Sequence, residues 1–256
     1  MENKYLVWKT PDLVKNYLSG NRAAFPCALD QIAVMLKLVE ENSNQVNRFI
    51  DIGCGDGILS AAILEKYPHS RGVLLDFAED MLKAAAEKLQ NYADRIDFIN
   101  FDYSDMNWVN QVNYLAPFDV IVSGFSIHHQ PDARKKEIYG EIYDLLTPGG
   151  IFINVEHVLS KTKWIGNVHN EYFIDSLFEY EKRKGSGKTR DEIATGFDKR
   201  IDNEANILAP VEDQCSWLRD IGFKDVDCYF KVLELAVFGG RKDGFKNDHC
   251  GGSKPM

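Results

Sequence analysis

The residues best suited to chemistry begin in the stretch Phe49-Ile50-Asp51-Ile52-Gly53-Cys54-Gly55-Asp56-Gly57. Glycines at 53, 55 and 57 let the main chain take positive φ and approach a ligand with no Cβ in the way. A helix starting after them would point free N–H groups at a polar or anionic ligand end. A dinucleotide fingerprint needs G-x-G-x-x-G, and its third glycine would fall at position 58, which is Ile58. The carboxylate of Asp51 at the mouth of the turn would repel a pyrophosphate but could accept a hydrogen bond from an ammonium group. The expected ligand is therefore a nucleoside carrying an amino acid, in preference to NAD.

Further acids and histidines follow at intervals. Asp76 closes Val73-Leu74-Leu75-Asp76, about 20 residues past the turn, where ribose hydroxyls would lie. It could equally cap the helix that begins after Phe77-Ala78-Glu79. Asp102, in Phe101-Asp102-Tyr103, could accept from an exocyclic adenine amine with Tyr103 lining the ring, or could cap a helix around Trp108. His128 and His129 follow one apolar run, and His157 follows Asn154-Val155-Glu156. These histidines would lie at a sheet's carboxyl edge, where ligands bind. Glu156 could pair with His157 or face a cationic acceptor. Arg22, in Gly20-Asn21-Arg22, is a candidate clamp on a ligand carboxylate.

Positioning such residues requires alternating strands and helices. Helical spacing of apolar residues starts near Gly57, Glu79 and Pro131, and strand-like runs occupy Val73-Leu74-Leu75, Ile96 to Ile99, Val120-Ile121-Val122 and Ile151 to Val155. That rhythm predicts an α/β, Rossmann-like, mostly parallel sheet with helices on both faces. Pro148-Gly149-Gly150 marks the passage into the fifth strand. Strands near Val226 to Phe230 and Leu233 to Phe238 are joined too closely to be parallel, so the last is expected to be antiparallel. Two N-terminal helices start near Thr10-Pro11 and Pro26. The expected organisation is a helical cap over 1–44, the main domain over 45–238, a charged and aromatic cap insertion over 159–209, and a disordered tail over 239–256.

Composition sets bounds. A chain of 256 residues, 45% hydrophobic and 27% charged, is ordinary for one large globular domain. No apolar run of about 18 residues occurs, so no membrane span is expected, and the first residues lack a signal-peptide layout. The five scattered cysteines indicate neither a disulfide framework nor a structural zinc site. Reduced thiols in the cytoplasm fit best, and no metal is expected. A net charge of −9 argues against broad nucleic-acid binding. Gly185-Ser186-Gly187-Lys188-Thr189 imitates the end of a phosphate-binding loop, but Lys182 stands where that motif needs glycine. The nearby basic residues read as a solvated loop.

Asp51 to Gly57, Asp76, Asp102 and Phe118-Asp119-Val120-Ile121-Val122-Ser123, taken in order, resemble the successive motifs of the class I S-adenosylmethionine-dependent methyltransferases. Leu145-Leu146-Thr147-Pro148-Gly149-Gly150 resembles their lead into the fifth strand. The whole is most similar to the ubiquinone/menaquinone- and aconitate-methyltransferase branch. The resemblance implies a seven-stranded sheet and S-adenosylmethionine as cofactor. It implies that Gly53, Cys54 (through its main chain) and Gly55 approach the methionine part, Asp76 the ribose, Phe77 or Met81 the adenine face, and Asp102 the adenine amine. Ser123 would run past the sulfonium, and His128 or His157 could act as a base if the acceptor is protonated. The expected partner is a small-molecule methyl acceptor, with a homodimer as an option. Carboxy-S-adenosylmethionine synthase of tRNA modification, whose turn resembles D-x-G-C-S-x-G where this chain has Gly55, is the enzymatic rival. A non-catalytic cofactor-binding subunit is the other.

Overall fold

The computed structural model describes residues 4–18 and 24–244. Arg22 and the tail residues from 245 onward therefore lie outside the described residues. The first strand, β1 (Arg48–Ile52), sits between β2 (Arg71–Asp76) and β4 (Phe118–Gly124), and is parallel to both. Its residues are apolar on both faces because both faces are covered, as parallel sheets require. Ile50 and Ile52 face one core, with Trp108, Tyr139 and Leu218; Phe49 faces the other, with Met35, Leu59 and Ile63. By the two-residue alternation of a strand, Asp51 shares the face of Phe49. That alternation decides where its carboxylate goes.

β3 (Ile96–Asn100), β5 (Leu146–His157), β6 (Lys224–Val232) and β7 (Leu235–Arg241) complete a seven-stranded sheet in the order β3-β2-β1-β4-β5-β7-β6. β7 runs antiparallel to both of its neighbours. The order reverses between β1 and β4, and the crevice beyond the carboxyl ends at such a switch point is where ligands bind in open α/β sheets. Ile52 stands level with Leu75 and Ser123, so the turn after β1, the end of β2 and the end of β4 open on one edge. In the antiparallel pair, His157 is opposite Leu235, which brings the end of β5 and the start of β7 to that same edge.

Helices α2 (Ala28–Asn42), α3 (Ile58–Lys66) and α4 (Glu79–Lys88) cover one face; α5 (Trp108–Val112), α6 (Asp132–Leu145) and α9 (Val211–Ile221) cover the other. Ahead of them, α1 (Pro11–Leu18) follows a 3₁₀ segment at Lys4–Lys9. Across the carboxyl edge lie α7 (Lys163–Arg183) and α8 (Arg190–Asp198). Thr189 and Glu192 form a capping box at the start of α8, each side chain taking a backbone N–H of the other's end. Phe173 and Ile174 of α7 pack on Phe197 of α8 and on Phe25, which also meets Phe125 after β4 at 5.7 Å between ring centroids. These aromatic contacts hold the two helices over the edge.

Two sequence expectations need correction. The strand expected to end at Phe238 continues through Gly239 and Gly240 to Arg241, so the disordered tail does not begin at 239. Gly239 is required there because a Cβ would sit 2.0 Å from the Phe152 carbonyl oxygen of β5. Glycines that read as a flexible tail are the means of close strand approach. The strand expected from Leu233 begins two residues later, and Leu233, at φ 54°, belongs with Glu234 to the connecting turn.

Candidate active site

The turn after β1 is sewn to the end of β2, because the N–H groups of Gly53 and Cys54 both donate to the Leu75 carbonyl, at 2.8 and 3.0 Å. Gly53, Gly55 and Gly57 have φ of 65°, 53° and 74°, the left-handed region that residues with a Cβ disfavour. A Cβ on Gly53 would fall 1.8 Å from Ser126 Oγ, whereas one on Gly55 would meet open space. Left-handed backbone costs roughly 1–2 kcal/mol per non-glycine residue before any collision. Gly53→Ala should therefore lower the melting temperature by several degrees, at about 2–4 °C per kcal/mol for a chain of this size. An unchanged melting curve would show that the turn has room to spare.

One cavity of about 1040 Å³ opens at this edge. Its wall at the turn is made by Gly53, Cys54, Gly55, Asp76, Phe77 and Met81. Asp76, only 7% exposed, accepts the Gly55 N–H on Oδ2 at 2.9 Å and the Ala78 N–H on Oδ1 at 2.8 Å. Burial pushes its carboxyl up to about 6, in spite of these hydrogen bonds.

Another part of the cavity wall is rich in imidazole. His128 and His129 lie on the short turn after β4, and His128 Nδ1 is 2.5 Å from Oε1 of the fully buried Glu156. Glu156 Oε2 also accepts the His128 N–H at 3.1 Å. Burial, and then His157, hold the His128 imidazole below its ordinary value; burial lifts the Glu156 carboxyl to about 7. His129 Nδ1 meets the Ala205 carbonyl at 3.1 Å, and the Ile207 N–H donates to the His128 carbonyl at 2.9 Å, so the segment after α8 is tied to this turn. His157 Nε2 is 2.8 Å from Glu234 Oε2, and His169 of α7 stands beside them.

The comparisons with known proteins agree with this geometry. Residues 50–152 match a family described as a methyltransferase domain. The chain is 23% identical to the carboxy-S-adenosyl-L-methionine synthase of Nautilia profundicola, over 83% of this chain and 85% of that one. It is 29% identical to malonyl-[acyl-carrier protein] O-methyltransferase 2 of Ilyobacter polytropus, over 93% and 90%. An O-methyltransferase family protein from Burkholderia thailandensis shares the fold, with a TM-score of 0.58, 15% identity, and coverage of 96% of this chain and 71% of that one. Residues 50–152 thus carry a methyltransferase domain of the class I S-adenosylmethionine-dependent type.

S-adenosylmethionine is the methyltransferase's cofactor, and the residues present fit it. Gly55 leaves open space in front of its backbone, as a cradle for a ligand does. The buried carboxylate of Asp76 reaches the cavity as an acceptor for hydroxyl donors, and Phe77 and Met81 offer apolar surface for a base. Of the residues expected from sequence, Gly53, Cys54, Gly55, Asp76, Phe77, Met81, His128 and His157 share this one cavity. The Cys54 thiol is 4% exposed and its pKa is driven up by burial, which leaves the main chain to face a ligand.

Four expected residues stand elsewhere. Asp51 points under the turn towards α3, where Ser60 Oγ donates to its Oδ2 at 2.7 Å. Ser123 is fully buried and donates to the Ile52 carbonyl at 2.7 Å. Tyr103 donates to the Ser126 carbonyl at 2.8 Å. Asp102 accepts from the Tyr5 hydroxyl at 3.0 Å, and the two line a separate crevice of about 10 Å³. Tyr5, packed edge-on against Phe77, thus takes the contact that sequence assigned to an adenine amine. Among the described residues, the methyltransferase motifs alone did not indicate Ser126, His169, Arg200 or Glu234, all of which line the cavity. His169, Arg200 and Glu234 come from the cap and the hairpin, which carry no local motif. Glu156, by contrast, was singled out, but with His157 as its neighbour in sequence instead of His128 across the edge.

Proposed function

We propose that this methyltransferase transfers a methyl group to an oxygen of a small-molecule acceptor that carries a proton, with His128 as the base. The observation that carries this reading is the buried His128–Glu156 pair, 2.5 Å apart, on the wall of the cofactor cavity. The cofactor supplies a methyl group already activated by a positive sulfur. What remains for the chain is to place and desolvate the nucleophile and remove its proton. Nδ1 is committed to Glu156 and the imidazole also meets the Asn206 side chain, so Nε2 would take that proton as the acceptor displaces Asn206, and a carboxylate on Nδ1 stabilises the imidazolium that forms. Burial keeps the imidazole neutral beforehand, as a base must be.

Asp76 would hold the ribose hydroxyls and Phe77 or Met81 the adenine. The 1–44 and 159–209 segments, read as caps, would exclude water and choose the acceptor. The name of one relative, malonyl-[acyl-carrier protein] O-methyltransferase 2, supports oxygen as the acceptor atom. The described cysteines are free thiols, which suits a cytoplasmic setting.

The test is transfer of label from methyl-labelled cofactor into a pool of hydroxyl-bearing metabolites. Label should leave the cofactor and appear on oxygen; a protein that binds the cofactor and labels nothing would be a non-catalytic subunit. A second reading, formation of carboxy-S-adenosylmethionine, is favoured by Arg200 on the cavity wall, a cation able to hold a carboxylate donor. Mass spectrometry separates the two, because a cofactor that gains a carboxyl on its labelled carbon, which loses one hydrogen and stays on sulfur as a methylene, belongs only to the second.

A further inference from the structure

His157, His169 and Glu234 converge from three elements on one part of the cavity wall. His157 ends β5, Glu234 occupies the turn before β7 and His169 projects from the second turn of α7. One potential ligand atom from each lies within 4.8 Å of the others. Glu234 Oε2 is 2.8 Å from His157 Nε2 and 3.8 Å from His169 Nε2. In a tetrahedral zinc site with bonds of about 2.0–2.1 Å, ligand atoms stand roughly 3.4 Å apart. The side chains are within a rotamer adjustment of that arrangement.

Hydrogen bonding explains His157 and Glu234 but leaves His169 over. Its imidazole is 2% exposed, its Nδ1 is buried with no hydrogen-bond partner, and its Nε2 is beyond hydrogen-bond reach of Glu234. A buried imidazole without partners is costly. Two imidazoles and one carboxylate form a ligand set for a divalent transition metal.

We propose that His157, His169 and Glu234 bind one divalent transition-metal ion of the zinc type, with an open coordination position facing the cavity. Three protein ligands with a fourth position free is the pattern of catalytic zinc and not of closed structural sites. The ion would join α7 of the cap to the ends of β5 and β7. It would present a Lewis-acidic position to an oxygen of the acceptor, 5.9 Å between ring centroids from His128 to its ligand His157. The proposal does not depend on the acceptor reading above, since the ligands come wholly from the chain.

Co²⁺ or Zn²⁺ alone, titrated into the full-length, untagged, chelator-stripped protein without S-adenosylmethionine, tests it. Co²⁺ should be taken up one per chain with the visible absorption of a low-coordinate nitrogen–oxygen site. His169→Gln and Glu234→Gln should each weaken uptake by at least the roughly 10–100-fold that loss of an outer-shell partner costs. His128→Gln, which leaves the three ligands in place, should bind as the parent does. Zn²⁺ should also raise the melting temperature of the parent and a chelator should reverse the rise. Uptake that His169→Gln leaves unchanged, uptake without one-to-one saturation, or no melting shift in the parent overturns the assignment. Loss of methyl transfer in His128→Gln with intact metal uptake would bear on the base and not on the metal.

Discussion

Replacing His128 with glutamine should reduce turnover by about 10²–10⁴-fold, the range that a general base contributes. Affinity for S-adenosylhomocysteine should stay within a few-fold of the parent. The split follows from position: His128 lines the cavity from the turn after β4 and not from the glycine turn, and its Nδ1 is already held by Glu156 at 2.5 Å. Glutamine keeps polarity and much of the volume, but it cannot accept and release a proton. Glu156→Gln should cost a large part of the same factor. It removes the charge that stabilises the imidazolium, and the amide can hold Nδ1 in the wrong tautomer. Single-turnover rates with saturating cofactor, set beside calorimetric binding, check both. Turnover that survives His128→Gln would move the base elsewhere or show that the acceptor needs none.

Asp76 governs the other large effect. Asp76→Ala should weaken cofactor binding by about 1–3 kcal/mol, from the loss of acceptors for ribose hydroxyls. The same carboxylate also takes the N–H groups of Gly55 and Ala78, so alanine would loosen the turn as well. Asp76→Asn keeps the volume and one acceptor and should cost less. Because burial places the Asp76 carboxyl at about 6, S-adenosylhomocysteine affinity should fall as pH drops below that value. The fall should approach tenfold per pH unit, since binding then needs loss of a proton. Asp76→Asn should flatten this dependence.

Fold stability should respond to Asp76 in the opposite sense. The folded carboxyl, with a pKa of about 6, holds its proton more tightly than the unfolded one, at about 3.9. Between these values the folded state binds more protons, so this group's contribution to stability grows as pH falls from about 6 towards 4 and is lost as pH rises through about 6. Calorimetric titrations from neutral to mildly acidic pH, with melting curves taken in parallel, separate the two trends. Equal affinity for parent and Asp76→Asn at every pH would remove Asp76 from the binding site.

Much of the scaffold was legible because its signals are local. Apolar runs, glycine spacing and the short link between the last two strands each depend on a few neighbouring residues. They sufficed for a mostly parallel sheet of the methyltransferase type with an antiparallel final strand. Misreadings arose where a residue serves something distant. Gly239 resembled a loose tail, yet it lets β7 pass close to the Phe152 carbonyl. Asp51 looked like a ligand at the mouth of the turn, but strand alternation puts it on the face of α3, where Ser60 meets it.

By itself, the sequence determined the glycine turn and the acid closing the second strand, and the order of these with the later motifs carried the resemblance that implied the cofactor. These are contiguous motifs whose backbone geometry follows from residue type. Tertiary structure alone decided how the imidazole-rich part of the cavity is wired. Glu156 is next to His157 in the chain and takes its backbone N–H, but consecutive strand side chains point to opposite faces, and it is the His128 imidazole, from the neighbouring strand's end, that meets its carboxylate. His157 finds Glu234 instead, because antiparallel pairing of β5 with β7 sets His157 opposite Leu235, and α7 lays His169 beside them. Contacts among residues 157, 169 and 234 depend on strand register and on where a cap helix crosses the edge, and neither is written in any one stretch of the chain.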